Sequence, residues 1–164
     1  MNKAVFLDRD GVINHDPGDY THNLSEFTLN EGIVDNLKKL HENGFLLILI
    51  TNQGGISKGI YSHKNVEEIH AYFNKELEKA GVKLTEVYYC PHHSINEKCL
   101  CRKPNSLMIE KALAKFNIDR KKSFMLGDKD RDVECAENAG VKGIKVEINK
   151  NIKVYVDKIL NRSI

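Results

Sequence analysis

Two carboxylates spaced two apart open the case for chemistry. Asp8 and Asp10 stand just past an apolar run, and Gly11 permits a turn that aims both side chains into one crevice. Alone they would repel each other. A third acid, Asp128 in Gly127-Asp128-Lys129, makes the set suitable for Mg²⁺, which prefers hard oxygen ligands. Asp8, Asp10 and Asp128 are therefore the expected magnesium ligands. A metal there draws a phosphate against a nucleophile. Asp8 suits that attack, with an aspartyl-phosphate as product. Asp10 suits protonation of the leaving oxygen and later activation of water. Thr51 and Asn52, past another apolar run, suit hydrogen bonds to phosphate oxygens, and Lys103 suits charge on the transferred group. Taken singly, each residue reads as well as a solvated turn, a helix cap or a surface amine. Their arrangement as an ordered set at strand ends favours chemistry.

A second cluster is different in kind. Cys90, Cys99 and Cys101, with either His92 or His93 beside the first, supply four soft or borderline ligands within twelve positions. Zn²⁺ takes Cys₃His tetrahedrally in structural sites. A Cys99–Cys101 disulfide or free thiols are the alternatives, and a reducing compartment disfavours the disulfide. Full coordination leaves such a zinc no position for a reacting water, so its expected role is to pin the loop that carries Arg102 and Lys103. The planar fork of Arg102 suits a second phosphate or a carboxylate. Cys135 stands apart on a helix and reads as a small buried hydrophobe. His15, His22, His41, His63 and His70 read as surface or satisfied residues, with His15 and His22 nearest the crevice.

Alternating apolar and amphipathic runs must position these groups. Ala4 to Leu7, Phe45 to Ile50, Glu86 to Tyr89, Ser123 to Leu126 and Gly143 to Val146 read as strands. The unbroken run of Phe45 to Ile50 suits a central strand buried on both faces. Gly32 to Asn43, His63 to Ala80, Ser106 to Phe116, Asp130 to Ala139 and Ile152 to Leu160 read as helices, three of them followed by Gly44, Gly81 and Gly140. The alternation predicts an α/β three-layer sandwich with a mostly parallel sheet. Ligands bind outside the carboxyl ends of such strands, where the chemistry lies. The long irregular stretches, His15 to Asn30 and Pro91 to Asn105, are functional candidates.

The 164 residues fit one domain spanning 1–164. Hydrophobic residues make up 41% and charged residues 29%, ordinary for a globular protein. A net charge of +2 gives no reason to expect nucleic acid as partner. The start carries no signal-peptide layout and no apolar run is near 18 residues, so a soluble, cytoplasmic protein without membrane contact is expected. Nothing points to an interface, so a monomer is expected.

The ordered set resembles the haloacid dehalogenase superfamily of phosphatases: Asp-x-Asp after the first strand, Ser or Thr after the second, then Lys, then an acidic cluster. That resemblance spans nearly the whole chain and implies a Rossmann-like fold, Mg²⁺, Asp8 as nucleophile and Asp10 as general acid/base. Phe6-Leu7-Asp8-Arg9-Asp10-Gly11-Val12-Ile13-Asn14, Thr51-Asn52-Gln53, Cys90-Pro91-His92-His93 and Cys99-Leu100-Cys101-Arg102-Lys103-Pro104 are similar to one branch. It holds the D-glycero-D-manno-heptose 1,7-bisphosphate phosphatases and the histidinol-phosphatases, which lack a large cap domain. Val12 departs from the Thr of many relatives. The resemblance places the fourth zinc ligand at His92, giving Cys90, His92, Cys99 and Cys101. It also implies substrate contacts from Asp16, Asp19, Tyr20, Asn52, Gln53, Gly54, Arg102 and Lys129. The stretch Asn14 to Tyr20 and Gly127-Asp128-Lys129 look like the heptose enzymes; the short stretch from His92 to Cys99 looks like the histidinol enzymes. The expected substrate is a small phosphorylated metabolite, with the heptose bisphosphate favoured and histidinol phosphate as the alternative. A phospho-accepting receiver domain shares the fold type, Mg²⁺ and a phosphorylated Asp. Asp10 argues against it, because a switch needs its aspartyl-phosphate to last.

Overall fold

The computed structural model describes residues 1–164. Five parallel strands form one sheet: β1 (Lys3–Leu7), β2 (Phe45–Asn52), β3 (Glu86–Cys90), β4 (Phe124–Gly127) and β5 (Lys142–Lys145). Their order is β3-β2-β1-β4-β5, so the chain winds outward from β1 in one direction and then crosses to the other. The switch point lies between β1 and β4, where Val5 pairs with Phe124 and Leu7 with Leu126. Open parallel sheets bind ligands there, beyond the carboxyl ends.

Five helices cover the two faces: α1 (Ile33–Glu42), α2 (His63–Lys79), α3 (Leu107–Lys115), α4 (Asp130–Asn138) and α5 (Lys153–Leu160). One face joins Val5, Leu7, Leu47 and Leu49 to Leu37 and Leu40 of α1, Ile69, Phe73 and Leu77 of α2, and Val156 and Ile159 of α5. The other joins Ala4, Phe6, Ile48 and Ile50 to Met108, Ile109 and Ala112 of α3 and to Cys135 and Ala136 of α4. Alternate residues of β1 and β2 thus serve opposite cores, which is why those strands read as continuous apolar runs. Ser62 starts α2 with a capping box shared with Asn65. No helix is long and apolar enough to cross a membrane.

The three-layer Rossmann-like architecture matches the expectation from sequence. The differences are local. Strand β2 runs on to Asn52, so Thr51 and Asn52 sit within the sheet, Thr51 opposite Tyr89 and Asn52 opposite Cys90. A 3₁₀ turn at Arg120–Lys122 precedes β4. Val146 falls just past β5, its N–H donating to the Gly127 carbonyl at 2.9 Å.

Candidate active site

The backbone N–H of Asp8 donates to the Leu126 carbonyl at 3.0 Å, extending the β1–β4 ladder one residue beyond β1. This sets the Asp8 carboxylate at the switch point. The chain then turns sharply, with the N–H groups of Val12, Ile13 and Asn14 converging on the Arg9 carbonyl. Gly11 has φ +88°, and a Cβ there would meet the Asp128 carboxyl carbon at 2.8 Å. Only glycine permits both that backbone and that approach.

Lys103 is fully buried, and its Nζ lies 2.8 Å from Asp8 Oδ1, 2.7 Å from Asp132 Oδ1 and 2.8 Å from the Ile50 carbonyl. Burial opposes its charge, but Asp8 and Asp132 outweigh that and hold it above the usual lysine value. Burial pushes Asp8 the other way, up to about 7, against the pull of Lys103 and with Asp132 adding to the rise. A buried carboxylate so raised is suited to a site where a cation restores its charge.

One carboxylate oxygen from each of Asp8, Asp128 and Asp132 lies within 4.8 Å of the other two. Asp128 Oδ1 is buried with no hydrogen-bond partner, and Oδ2 meets Lys129 Nζ at 2.7 Å as an ion pair without hydrogen-bond geometry. Orphaned hard oxygens at a buried acidic cluster fit a divalent cation. The Asp10 carboxylate is not in this group. It accepts from Arg9 Nε and Nη2, from Asn14 Nδ2 and from Gln53 Nε2, at 3.0–3.2 Å. Asp132 takes its place in the cluster: fully buried in the first turn of α4, it pairs with Lys103 through Oδ1 and accepts the Lys129 N–H through Oδ2.

Thr51 Oγ accepts from Gln53 Nε2 at 2.9 Å. The Asn52 amide spans the Lys103 backbone, accepting its N–H at 3.0 Å and donating to its carbonyl at 3.1 Å. It therefore fastens the lysine loop to β2. A cleft of about 450 Å³ opens above these groups, bordered by Asp10, Asp16, Asp19, Tyr20, Asn52, Gln53, Gly54, Arg102 and Lys129. It also takes in Arg9, Tyr61, His93 and Arg131, which sequence reasoning did not assign. Asp16 pairs with Lys129 at 3.3 Å and is fixed by Asn149 through both backbone groups. Arg102 Nη1 donates to the His92 carbonyl at 2.9 Å. Burial and the nearby Lys58 and Arg102 lower the pKa of His93, which lies beside the cleft. A larger hollow of about 800 Å³ at the other end of the sheet has no acidic side chain and is remote from this chemistry.

Beside the cleft, Cys90 Sγ lies 3.1 Å from Cys101 Sγ, 3.6 Å from Cys99 Sγ and 3.5 Å from His92 Nδ1, with His92 Nδ1 3.3 Å from Cys101 Sγ. A disulfide needs roughly 2.05 Å, so the cysteines are free. Ligand atoms around a tetrahedral zinc sit roughly 3.5–3.8 Å apart, given its bond lengths. The four donors fit such an ion, and His93 points elsewhere, its Nδ1 accepting from the Ile95 N–H. Among the other histidines, His22 stacks on Tyr61 at the cleft, while His15 is exposed. His70 differs from the surface or satisfied reading: it is buried, its Nε2 has no partner, and burial with the nearby Arg9 pushes it down to about 3. Cys135 is buried and donates to the Asn105 carbonyl.

Comparison with known proteins shows the family and the fold. The family model for HAD-hydrolase-like proteins matches residues 100–153. A D-glycero-β-D-manno-heptose-1,7-bisphosphate 7-phosphatase of Haemophilus ducreyi is 44% identical over 146 residues, 85% of this chain and 80% of that protein. A protein of the same name from Helicobacter pylori is 40% identical over 153 residues, covering 93% and 87%. The crystal structure of a D,D-heptose 1,7-bisphosphate phosphatase from B. bronchiseptica, complexed with magnesium and phosphate, superposes with a TM-score of 0.91 over 98% of this chain and 99% of that one, at 24% identity.

Proposed function

We propose that this chain, which belongs to the heptose-bisphosphate phosphatase family of HAD-type phosphoric monoester hydrolases, removes the 7-phosphate of D-glycero-D-manno-heptose 1,7-bisphosphate. The observation that carries the chemistry is the buried Asp8–Lys103–Asp132 arrangement beside the unpartnered Oδ1 of Asp128. An Asp8 carboxylate oxygen attacks the phosphorus, and the P–O bond to the sugar breaks. Asp10 gives the leaving oxygen its proton. The aspartyl-phosphate on Asp8 is then hydrolysed: water attacks phosphorus, its proton passes to Asp10, and phosphate leaves Asp8. The five hydrogen bonds that Asp10 accepts, from four donor atoms, match the carboxylate that exists between these two steps. Lys103 neutralises charge on the phosphoryl oxygens, and Thr51 contributes a hydroxyl.

Asp8 and Asp128 would hold a magnesium ion, with Asp132 positioning Lys103 and the start of α4. When bound, that ion supplies charge neutralisation at the phosphoryl group and restores the Asp8 carboxylate to its ionised form. Cys90, His92, Cys99 and Cys101 would hold zinc. The His92 carbonyl fixes Arg102, so this knuckle sets a guanidinium at the cleft mouth. Arg102 and Lys129 supply cations for the far phosphate, with Asp16, Asp19 and Tyr20 on the facing loop for sugar hydroxyls. The relatives' names and the Arg102, Lys129 and Arg131 side chains lining the cleft favour the bisphosphate over histidinol phosphate.

The test is phosphate release with Mg²⁺ on the heptose bisphosphate, in both anomers, beside histidinol phosphate. A preference for the heptose of about a hundredfold, near 2.7 kcal/mol in the transition state, is expected. An equal or reversed preference overturns the substrate assignment and leaves the phosphatase chemistry in place.

A further inference from the structure

Tyr61 lies in the irregular stretch between β2 and α2, and neither the nucleophile nor the metal ligands need it. It is nonetheless buried, with only 8% exposed. Its ring packs against Gly55, where a Cβ would come within 2.1 Å of Cε1, so the backbone leaves room for this ring in this position. His22 stacks on it at 5.5 Å with planes 11° apart, and Tyr20 meets its edge at 5.7 Å. Its hydroxyl donates to Gln53 Oε1 at 2.7 Å.

The acceptor-only Asp10 carboxylate decides which way the Gln53 amide faces, and the Tyr61 hydroxyl anchors the amide oxygen in that place. With Oε1 accepting from Tyr61, Nε2 is turned to Asp10 Oδ2 at 3.2 Å and to Thr51 Oγ at 2.9 Å. A flipped amide would set its oxygen against the Asp10 carboxylate, and acceptor against acceptor is repulsive. A phenol has no acceptor role to play against Oε1, so the order of donors along Tyr61, Gln53 and Asp10 runs one way only. Burial pushes the phenol up to about 12, which keeps it an O–H donor at neutral pH.

We infer that Tyr61 is a positioning residue for the acid/base step: it locks the Gln53 amide so that the Asp10 carboxyl faces the leaving oxygen, and its ring ties that lock to the substrate loop through Tyr20 and His22. This rests on the phosphatase reading above. The role concerns Asp10 more than Asp8, so it has a signature in the leaving group. A sugar alkoxide needs a proton to depart, whereas p-nitrophenolate leaves without one. Both substrates need Asp8, Lys103 and Thr51.

The experiment compares kcat/KM on the heptose bisphosphate with kcat/KM on p-nitrophenyl phosphate for wild type and Tyr61→Phe, because this ratio reports departure of the leaving group and not the later hydrolysis of the aspartyl-phosphate, which both substrates share. Phenylalanine keeps the ring and its packing on Gly55. The sugar phosphate is expected to lose about tenfold, part of the 10²–10⁴ that general acid/base groups supply, and at least about fivefold more than the aryl phosphate. In a Gln53→Leu background, with no amide left to lock, Tyr61→Phe is expected to leave the ratio of the two substrates unchanged. Equal losses on both substrates, or an undiminished effect of Tyr61→Phe in the Gln53→Leu background, overturn the inference. If Tyr61→Phe melts below the assay temperature, Gln53→Leu alone decides: it must shift the ratio in the same direction. Wild type inactive on both substrates sinks the phosphatase reading itself, which separates the two failures.

Discussion

Removing Asp132 should cost both stability and rate. Its carboxylate is fully buried, 2.7 Å from Lys103 Nζ, and also accepts the Lys129 N–H at 3.0 Å. Breaking a buried ion pair from one side costs about 3–5 kcal/mol, because a buried charge is left uncompensated. Here Lys103 keeps Asp8 at 2.8 Å and the Ile50 carbonyl at 2.8 Å, so the lower end applies, about 3 kcal/mol for Asp132→Ala. For a chain of this size 1 kcal/mol shifts Tm by about 2–4 °C, so 3 kcal/mol gives about 6–12 °C. Asp132→Asn keeps the shape and an acceptor for the Lys129 N–H, and should melt between wild type and Asp132→Ala. Lys103 then loses one of its three anchors, and kcat should fall on the order of ten- to a hundredfold, below the 10²–10³ of deleting such a donor outright. Thermal melts by circular dichroism and phosphate release give both readings. Both variants melting within about 2 °C of wild type, a shift smaller than about 1 kcal/mol gives, with unchanged kcat, would refute the reasoning.

Three further outcomes follow from the same geometry. Cys90→Ala should purify without its zinc and lose on the order of 4 kcal/mol, in line with loss of a structural metal; metal analysis and melting check both, and an unchanged melt with no zinc in wild type contradicts the knuckle. Arg102→Ala should raise KM for the bisphosphate on the order of tenfold, matching the ~1.5 kcal/mol of a hydrogen bond to a charged group, while a 7-monophosphate substrate is unaffected; equal effects on both would remove the far phosphate from Arg102. His70 is held at about 3, so the unfolded chain takes up its proton near 6.5 and the folded one does not. Its contribution is therefore complete above pH 6.5 and is lost as pH falls toward 3. At pH 5 the loss is about 1.5 pH units, or about 2 kcal/mol. Stability measured by urea at pH 7.5 and 5 should show His70→Gln gaining about that much on wild type at the lower pH; a constant gap contradicts it.

The parts legible in sequence were those governed by local pattern. The double-faced burial of β2 follows from Phe45 to Ile50, and Asp8, Thr51 and Lys103 lie at one end of the sheet because strand ends and their loops converge in any sheet of this kind. The knuckle was legible because its donors fall within twelve positions. Asp132 was not, because Asp128, Asp130 and Asp132 look alike in a short acidic run. Tertiary packing separates them: Asp130 is exposed and pairs with Lys145, whereas Asp132 is fully buried against Lys103. The tie between Asp10 and Arg9 was likewise hidden, since adjacent residues in a sequence give no sign that one guanidinium folds back along the turn. Tyr61 sits in a stretch without periodicity, so only the contact with Gln53 reveals it. His70 did leave a signal: it lies four residues after Val66 and three before Phe73, on the buried stripe of α2.

Acid-quenching the enzyme during turnover of heptose bisphosphate labelled in the 7-phosphate, then mapping the labelled peptide, tests the central claim most directly. The account predicts acid-stable label on Asp8 at the end of β1, absent from a folded Asp8→Asn protein that no longer releases phosphate. Label on another residue, or an Asp8→Asn protein that turns over at the wild-type rate, would contradict it.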